Sequence, residues 1–597
     1  MQVSTDTAKV KESIRGVLSL LKANHPADCM TCDVNGRCEF QDLTLRYNVD
    51  SYMAEHSLPK LRQYSHEWDS ELASEAGALH DSSSAAIAID FEKCLRCGRC
   101  VTACDTVQDM NVLGMAGRGR ERHPALITEA MSLSKCISCG QCAAVCPVGA
   151  IAERSEWREV LNQLDSKRKV MVCVTAPAVR VAIGEELGTG PGSVTTGQMV
   201  AAQRALGFDY VFDVNFAADL TIMEEGTELL GRLRTAWGLE PPAAADDDSS
   251  SSSASSAGRQ GHQDEAAGRG HHQGPGPLPM FTSCCPGWIT TVEKSYPELI
   301  PHLSTCKSPA QMMGAVVKCY FAAKLGRQAE DICLVSIAPC TAKKYEAERA
   351  EMLREGEGQD IDYVVTTREF GRMLRERRIP LASLLEAPFD HPLGESTGAA
   401  VIFGNTGGVM EAALRTAYEL AVGQPLPKLE VAAIRGLAGI KEAELTLPDD
   451  APPGLAGRSL RVAVASGIGH ARHLLQAMHS GQGPRYDFIE VMACPGGCIG
   501  GGGQPKSRDP LVLLKRMGAV YNLDERSTIR KSHQNQSVLQ LYKEFLGEPN
   551  GPLAHQLLHT SYTDRSRTTL PAYSTWEKED APQHPHLAQQ QQQGPSP

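Results

Sequence analysis

No stretch of this chain approaches the roughly 18 continuous apolar residues that a membrane-crossing helix needs, so no membrane partner is expected. The opening residues MQVSTDTAKVKES lack the apolar core of a secretory signal, and they carry acids too early for a typical organellar transit peptide. A leader removed before this sequence begins would leave no trace in it, so the compartment stays open. An excess of basic charge is missing too. Lys and Arg number 59 against 71 Asp and Glu, a net charge of −12, which argues against general nucleic-acid binding and reads most simply as solubility. What is plentiful is cysteine, 20 in all. Disulfide scaffolds are usually small and secreted, whereas this chain has 597 residues and no secretory signal. Most of these cysteines stand at short, regular spacings, which is the signature of metal ligands.

The length exceeds one ordinary core, so several domains are expected. Residues 1–80 hold a helix-like stretch, IRGVLSLLKANH, and a first cysteine group; residues 81–165 hold two further cysteine runs. From 166 to 520 strand-like runs alternate with helical patterns. KVMVCVTAP, YVFDV, ICLVSIAPC, IDYVVTT, AAVIFGN, LRVAVASGI and DFIEVMAC are the expected strands, and their alternation with helices predicts an α/β domain with largely parallel pairing. Residues 241–277, poor in apolar side chains and rich in Ser, Gly, Ala and Asp, are expected to be a disordered surface insertion. Metal capture there by His262, His271 and His272 is the weaker reading. Residues 521–563 read as a helical wrapping segment and 564–597 as a disordered tail.

The strongest pattern is a repeat. Cys94, Cys97, Cys100 and Cys104 form C-x2-C-x2-C-x3-C, and Cys136, Cys139, Cys142 and Cys146 repeat it with every member displaced by 42 residues. This is the spacing of bacterial ferredoxins with two 4Fe–4S clusters, in which the last cysteine of each run serves the other cluster. Cys94, Cys97, Cys100 and Cys146 are therefore expected to hold one cubane, and Cys136, Cys139, Cys142 and Cys104 the other. Asp105 stands where a proline usually closes the first run, a matter of turn geometry more than ligation. Upstream, His25, Cys29, Cys32 and Cys38 could make a structural zinc site of three thiolates and one imidazole. Just ahead of a two-cluster ferredoxin-like α+β module, the motif also resembles the His-ligated 4Fe–4S motif of iron-only hydrogenases and of the large iron–sulfur subunit of respiratory complex I. Three clusters in succession make a wire.

Three cysteine-bearing segments remain: FTSCCPGW (281–288), SIAPCTAKKYEAER (336–349) and EVMACPGGCIGGGGQP (490–505). Cys340 and Cys494 fall where hydrophobic strands end, the edge at which open α/β sheets bind ligands. The run Gly500–Gly503 has no side chains, so backbone can press against something bulky. With TAPAVRVAIGE (175–185) and FAADLTIMEEGTEL (216–229), these segments resemble, in order, the catalytic domain of FeFe-hydrogenases. The resemblance implies two lobes of twisted, largely parallel sheets. It also implies an H-cluster, a 4Fe–4S cubane joined through a cysteine thiolate to a di-iron unit carrying CO, cyanide and a bridging dithiolate. Carried over by position, Cys285, Cys340, Cys494 and Cys498 are the cubane ligands, with Cys498 bridging. Lys343 donates to a cyanide, and Pro177 and Met492 line the cofactor. Cys284, Glu225, Ser304 and Glu228 form a proton path, with Arg232 balancing Glu228. From the residues alone Cys284 is equally a small buried hydrophobe, Glu225 and Glu228 a solvated helix face, and Lys343 a surface lysine. Ala338 and Ala310 depart from the family's usual Met and Gln and enlarge the pocket.

The resemblance further implies reversible reduction of protons to H2, with electrons from ferredoxin or a similar carrier. It implies maturation proteins for the di-iron unit, and a reducing, anaerobic compartment, chloroplast stroma or cytoplasm. The rivals are a hydrogenase-like iron–sulfur assembly scaffold without H2 chemistry and a sensory hydrogenase, for which no appended signalling domain is visible.

Overall fold

The computed structural model describes residues 4–26, 29–58, 80–119, 122–239, 276–354, 358–481, 483–507 and 509–566. The expected insertion at 241–277 and tail at 564–597 lie outside these residues apart from their edges.

The first segment is built on α1 (Ala8–Asn24), whose N-terminus is capped by Thr7 accepting from the Val10 N–H at 3.3 Å. Its inward residue Leu18 shares one apolar core with Phe40, Val49 and Met53 and with Ile87, Ile89 and Ile151 of the module that follows. That module pairs β1 (His80–Asp81), β2 (Ile87–Asp90) and β5 (Ile151–Glu153) in an antiparallel sheet, beside a hairpin of β3 (Leu113–Ala116) and β4 (His123–Leu126). The sequence repeat returns as a backbone repeat. Arg96 and Ser138 sit at φ 56° and 57°, and Gly98 and Gly140 at φ 73° and 71°. Each cysteine run therefore takes the same left-handed steps before its short helix.

The α/β domain has two sheets. The first runs β10 (Tyr363–Thr366), β9 (Ile332–Ala338), β6 (Val170–Thr175), β7 (Tyr210–Asp213), all parallel. The second runs β11 (Ile440–Thr446), β12 (Ser459–Ser466), β13 (Phe488–Met492), β8 (Met280–Phe281), parallel except for β11. In β6, Val172 and Val174 enter one apolar core while Met171 and Cys173 enter the core on the opposite face. Burial on both faces explains why these strands read as continuous apolar runs. Helix α2 (Val214–Ala236) follows β7 directly and is buried over most of its length. Phe216, Ala217 and Leu220 pack into the first lobe, Ala218, Ile222 and Leu229 into the second, so α2 is the shared wall between lobes.

One expected strand is a helix. AAVIFGN forms a helical turn, Gly398–Val401, continued as a 3-10 turn, Ile402–Gly404. Thr397 accepts from the Ala400 N–H and is itself fixed by Asp219, its hydroxyl donating at 2.6 Å. A short run buried on every side gives no periodicity, and the cap, which is a matter of side-chain hydrogen bonding, decided the outcome. In the α/β domain two strands lie outside the expected set, the edge strand β11 with its charged IKEAELT and the two-residue β8.

Candidate metal centres and the site between the lobes

His25, Cys29, Cys32 and Cys38 line one cavity together with Val34, Gln41 and Gly149. The Gln41 N–H donates to Cys38 Sγ at 3.4 Å, and a Cβ on Gly149 would come within 3.2 Å of Cys32 Sγ. A second cavity is lined by Cys94, Cys97, Cys100 and Cys146, three members of one run and the last of the other. The complementary four act on one another as well: after burial, Cys136 and Cys104 do most to raise the Cys142 thiol. Burial, joined by the neighbouring thiols, pushes Cys94 up to about 11 and Cys100 to about 12. Sulfurs crowded this way repel as anions and call for a cationic centre, so the donor set fits iron–sulfur clusters. Backbone N–H groups point at the sulfurs, Arg96 to Cys94 at 3.2 Å and Ser138 to Cys136 at 3.4 Å.

Between the lobes, four further cysteines converge from carboxyl ends of strands in both sheets. Cys285 is the N-cap of α3 (Pro286–Ser295), just beyond β8, and its sulfur accepts from the Ala493 N–H at 3.3 Å. Cys340 follows β9, Cys494 follows β13, and Cys498 opens the turn Cys498–Gly500. Burial and then Cys285 push Cys494 to about 12; burial, then Cys494 and Cys285, raise Cys340. The glycines let main chain pack where side chains would clash. A Cβ on Gly497 would stand 2.8 Å from Met492 Sδ, one on Gly501 would strike the Pro339 carbonyl, and one on Gly502 the Cys139 carbonyl. The second cysteine run is docked here: Gln141 Nε2 donates to Gly500 O at 2.9 Å and Thr341 Oγ1 to Ser138 O at 2.6 Å. The donor set, four cysteines whose thiols raise one another, fits a cysteine-held cluster.

Lys343 is not a surface lysine. Its Nζ donates to Glu346 Oε2 at 2.7 Å and to Cys284 O at 3.3 Å, with its charge facing Cys285, Cys340 and Cys498. Pro177 opens the buried turn Pro177–Val181 beyond β6, and Met492 is the buried last residue of β13. Ala310 and Ala338 are buried as well.

Cys284 is partly buried; burial raises its thiol well above the usual range, and Glu225 adds most among its charged neighbours. Glu225 is fully buried, and neither of its oxygens closes a hydrogen bond among the described residues. Burial, reinforced by Glu228, pushes its carboxyl to about 8, with Ser283 and Ser304 offsetting only part of the rise. The Ser304 hydroxyl donates to Glu228 Oε2 at 2.8 Å. Arg232 donates to Glu228 Oε1 at 2.5 Å and to the Leu303 carbonyl at 2.7 Å. The Glu228 side chain is 12% exposed, so the Ser304, Glu228 and Arg232 group reaches the surface.

Residues 169–245 and 260–502 match the iron only hydrogenase large subunit, C-terminal domain, and 510–565 match the iron hydrogenase small subunit. The chain belongs to the iron-only hydrogenase family. Its N-terminal iron–sulfur domains match two further descriptions: the NADH-ubiquinone oxidoreductase-G iron-sulfur binding region over 15–52 and a 4Fe-4S dicluster domain over 85–150. It is 42% identical to NADP-reducing hydrogenase subunit HndD of Solidesulfovibrio fructosivorans, over 95% of this chain and 87% of that protein. It is 38% identical to Iron hydrogenase 1 of Clostridium pasteurianum, over 94% and 88%. A structure of FeFe-hydrogenase HydA1 from Chlamydomonas reinhardtii, 45% identical, covers 69% of this chain and 99% of that one with a TM-score of 0.58. Like its relatives, this hydrogenase is an oxidoreductase acting on hydrogen. The iron–sulfur assembly scaffold is the wrong reading: a cytosolic Fe-S cluster assembly factor of Danio rerio is more distant, at 30% identity over 66% of this chain. No helix of the described residues is long and apolar enough to cross a membrane.

Sequence reasoning passed over several buried polar groups of this hydrogenase. Glu490, inside the apolar strand β13, accepts from the Gly407 and Met410 N–H groups at 2.6 and 2.8 Å and faces Cys284 and Cys498. An acid in an otherwise apolar strand beside a ligand motif was the available signal. Glu224, Thr305 and His559 meet next to Glu228 and had none, because they come from three distant parts of the chain.

Proposed function

We propose that this hydrogenase interconverts protons and H2 at an H-cluster held by Cys285, Cys340, Cys494 and Cys498. When bound, the cluster supplies the open iron at which hydrogen is made or split; the rest falls to the chain's own side chains. Lys343, fixed by Glu346 in the ring of thiols, would hold a cyanide by a charge-assisted hydrogen bond. Pro177 and Met492 would line the cofactor and exclude water. Cys284 keeps its proton because its thiol is raised, and so it can donate toward the cofactor. Glu225, at about 8, exchanges protons near neutral pH and reloads Cys284. Ser304 links it to Glu228, which collects protons from solvent while Arg232 fixes its carboxylate.

Electrons would travel from ferredoxin or a similar carrier through three accessory 4Fe–4S clusters. These are held by His25 with Cys29, Cys32 and Cys38; by Cys94, Cys97, Cys100 and Cys146; and by Cys136, Cys139, Cys142 and Cys104. The domains would be 1–80, 81–165, 166–520 and 521–563, with maturation proteins building the di-iron unit in a reducing chloroplast stroma or cytoplasm. The observation that carries the reading is the convergence of four cysteines, from both sheets, beside Lys343 and Cys284. Infrared spectra of the matured protein test it: CO and cyanide bands together with H2 evolution are expected. Iron-loaded protein without those bands would end the reading.

A further inference from the structure

Glu224 stands beside Glu225 in α2 but faces the other way, and the relay above makes no use of it. It is fully buried, yet it has donors on both oxygens. The Tyr542 hydroxyl reaches Oε1, and Oε2 receives the Asn550 N–H at 2.7 Å and lies 3.1 Å from His559 Nε2. His559, 6% exposed, turns its other ring nitrogen, Nδ1, to Thr305 Oγ1 at 2.8 Å. Thr305 in turn touches the relay. Its N–H donates to Glu228 Oε2 at 3.2 Å, and its hydroxyl lies 3.5 Å from that same oxygen. A carboxylate oxygen facing Nε2 suits the tautomer with its hydrogen on Nε2, in which Nδ1 accepts from the Thr305 hydroxyl.

We infer that Thr305, His559 and Glu224 form a side branch of the proton relay, a station that holds a second proton one hop from Glu228. The branch rests on the reading of Glu228 as the outer carboxylate of that relay. The step balances. Protonated Glu228 gives its proton to Thr305 Oγ1 as the Thr305 hydroxyl passes its own to His559 Nδ1. This leaves a carboxylate, an intact hydroxyl and an imidazolium. Glu224 faces the new cation at 3.1 Å, and Arg232 donates to the Glu228 carboxylate left behind. The other groups around the ring are Tyr542, the Cys306 thiol, whose sulfur lies within 4.8 Å of the ligating atoms of Glu228 and His559, and exposed His555, stacked on His559 with centroids 4.6 Å apart. Each H2 consumes two protons, so a filled station shortens the wait for the second.

The structural alternative is a clamp. His559 faces Cys306 as an antiparallel bridge, and the Thr560 N–H donates to Thr305 O at 2.8 Å, tying the C-terminal segment to the catalytic domain. Thr305→Val separates the two, because it removes the hydroxyl while keeping the shape and the backbone clamp. In the matured holoenzyme it is expected to leave the CO and cyanide bands in place. It should lower H2 evolution about tenfold, less than the loss of a direct acid–base group, and alter the pH profile. Thr305→Ser should restore both. His559→Gln, which cannot carry the extra proton, should reproduce the valine variant's profile. Wild-type rate and pH profile in Thr305→Val would overturn the branch. Ser304→Ala, assayed alongside, tests the main relay: a normal rate there would instead remove the reading on which the branch rests.

Discussion

On the proposed mechanism, Cys284 and Cys285 divide the labour of the site. Cys285 caps a helix and points its sulfur at the other thiols, while Cys284 answers to Glu225. Cys285→Ala is expected to lose cluster iron and activity together. Cys284→Ala should keep its iron and its infrared bands but lose turnover, since alanine has no proton to pass. Cys284→Asp should recover part of the rate with an optimum moved toward acid, as a carboxyl reference pKa of about 3.9 requires. Iron loss in Cys284→Ala would contradict this division. Glu225 gives a stability test of its own. Its carboxyl is raised from 4.5 to about 8, so between those values the folded state holds a proton that the unfolded state has released. Its contribution therefore falls as pH rises through that window. Glu225→Gln should flatten the fall. The difference in apparent melting temperature between wild type and variant, measured at pH 5 and pH 8, should move in the variant's favour at pH 8.

At the scale of elements, the glycine turn after β13 is the piece with no substitute. Gly502→Ala would drive a methyl into the Cys139 carbonyl, which is backbone and cannot rotate away. Overpacking of this kind typically costs about 1–3 kcal/mol. We expect a lowered thermal midpoint and a larger loss of activity with a protein electron donor than with a small reductant; an unchanged midpoint would mean that the junction is loose. How legible these elements were depended on where their information lies. The doubled cysteine spacing is a local code, and it reappears as matched φ values at Arg96 and Ser138. The strands that carry Cys340 and Cys494 announced themselves by apolar runs that a two-faced core demands. AAVIFGN did not, because its helix depends on Thr397 and its link to Asp219, far off in sequence. Lys343 was named through its motif, but its burial was invisible until Glu346 and Ser308 closed around it.

Across the whole molecule, one buried carboxylate joins three parts of the chain. Glu153, in β5 of the ferredoxin-like module, accepts from Arg368 at 2.7 Å in the catalytic domain and from Arg37 at 3.5 Å in the first segment, with Arg372 at 3.7 Å. Burial works against its charge, yet Arg368 and Arg37 hold its carboxyl well below the usual range. Removing one partner of a buried pair typically costs about 3–5 kcal/mol, so Glu153→Leu should lower the melting midpoint and expose the first segment to protease ahead of the catalytic domain. Simultaneous unfolding of both at the wild-type midpoint would argue against a joint there.

The junction at Gly502 carries one more consequence. An electron's chance of crossing a gap falls exponentially with its width, and side chains vary that width each time they change rotamer. Where Cys139 meets Gly502, main chain lies directly against main chain, and the Gln141 and Thr341 side chains pin the junction on either side. On the proposed wire this packed junction would fix the last gap, so the rate of that hop should vary little.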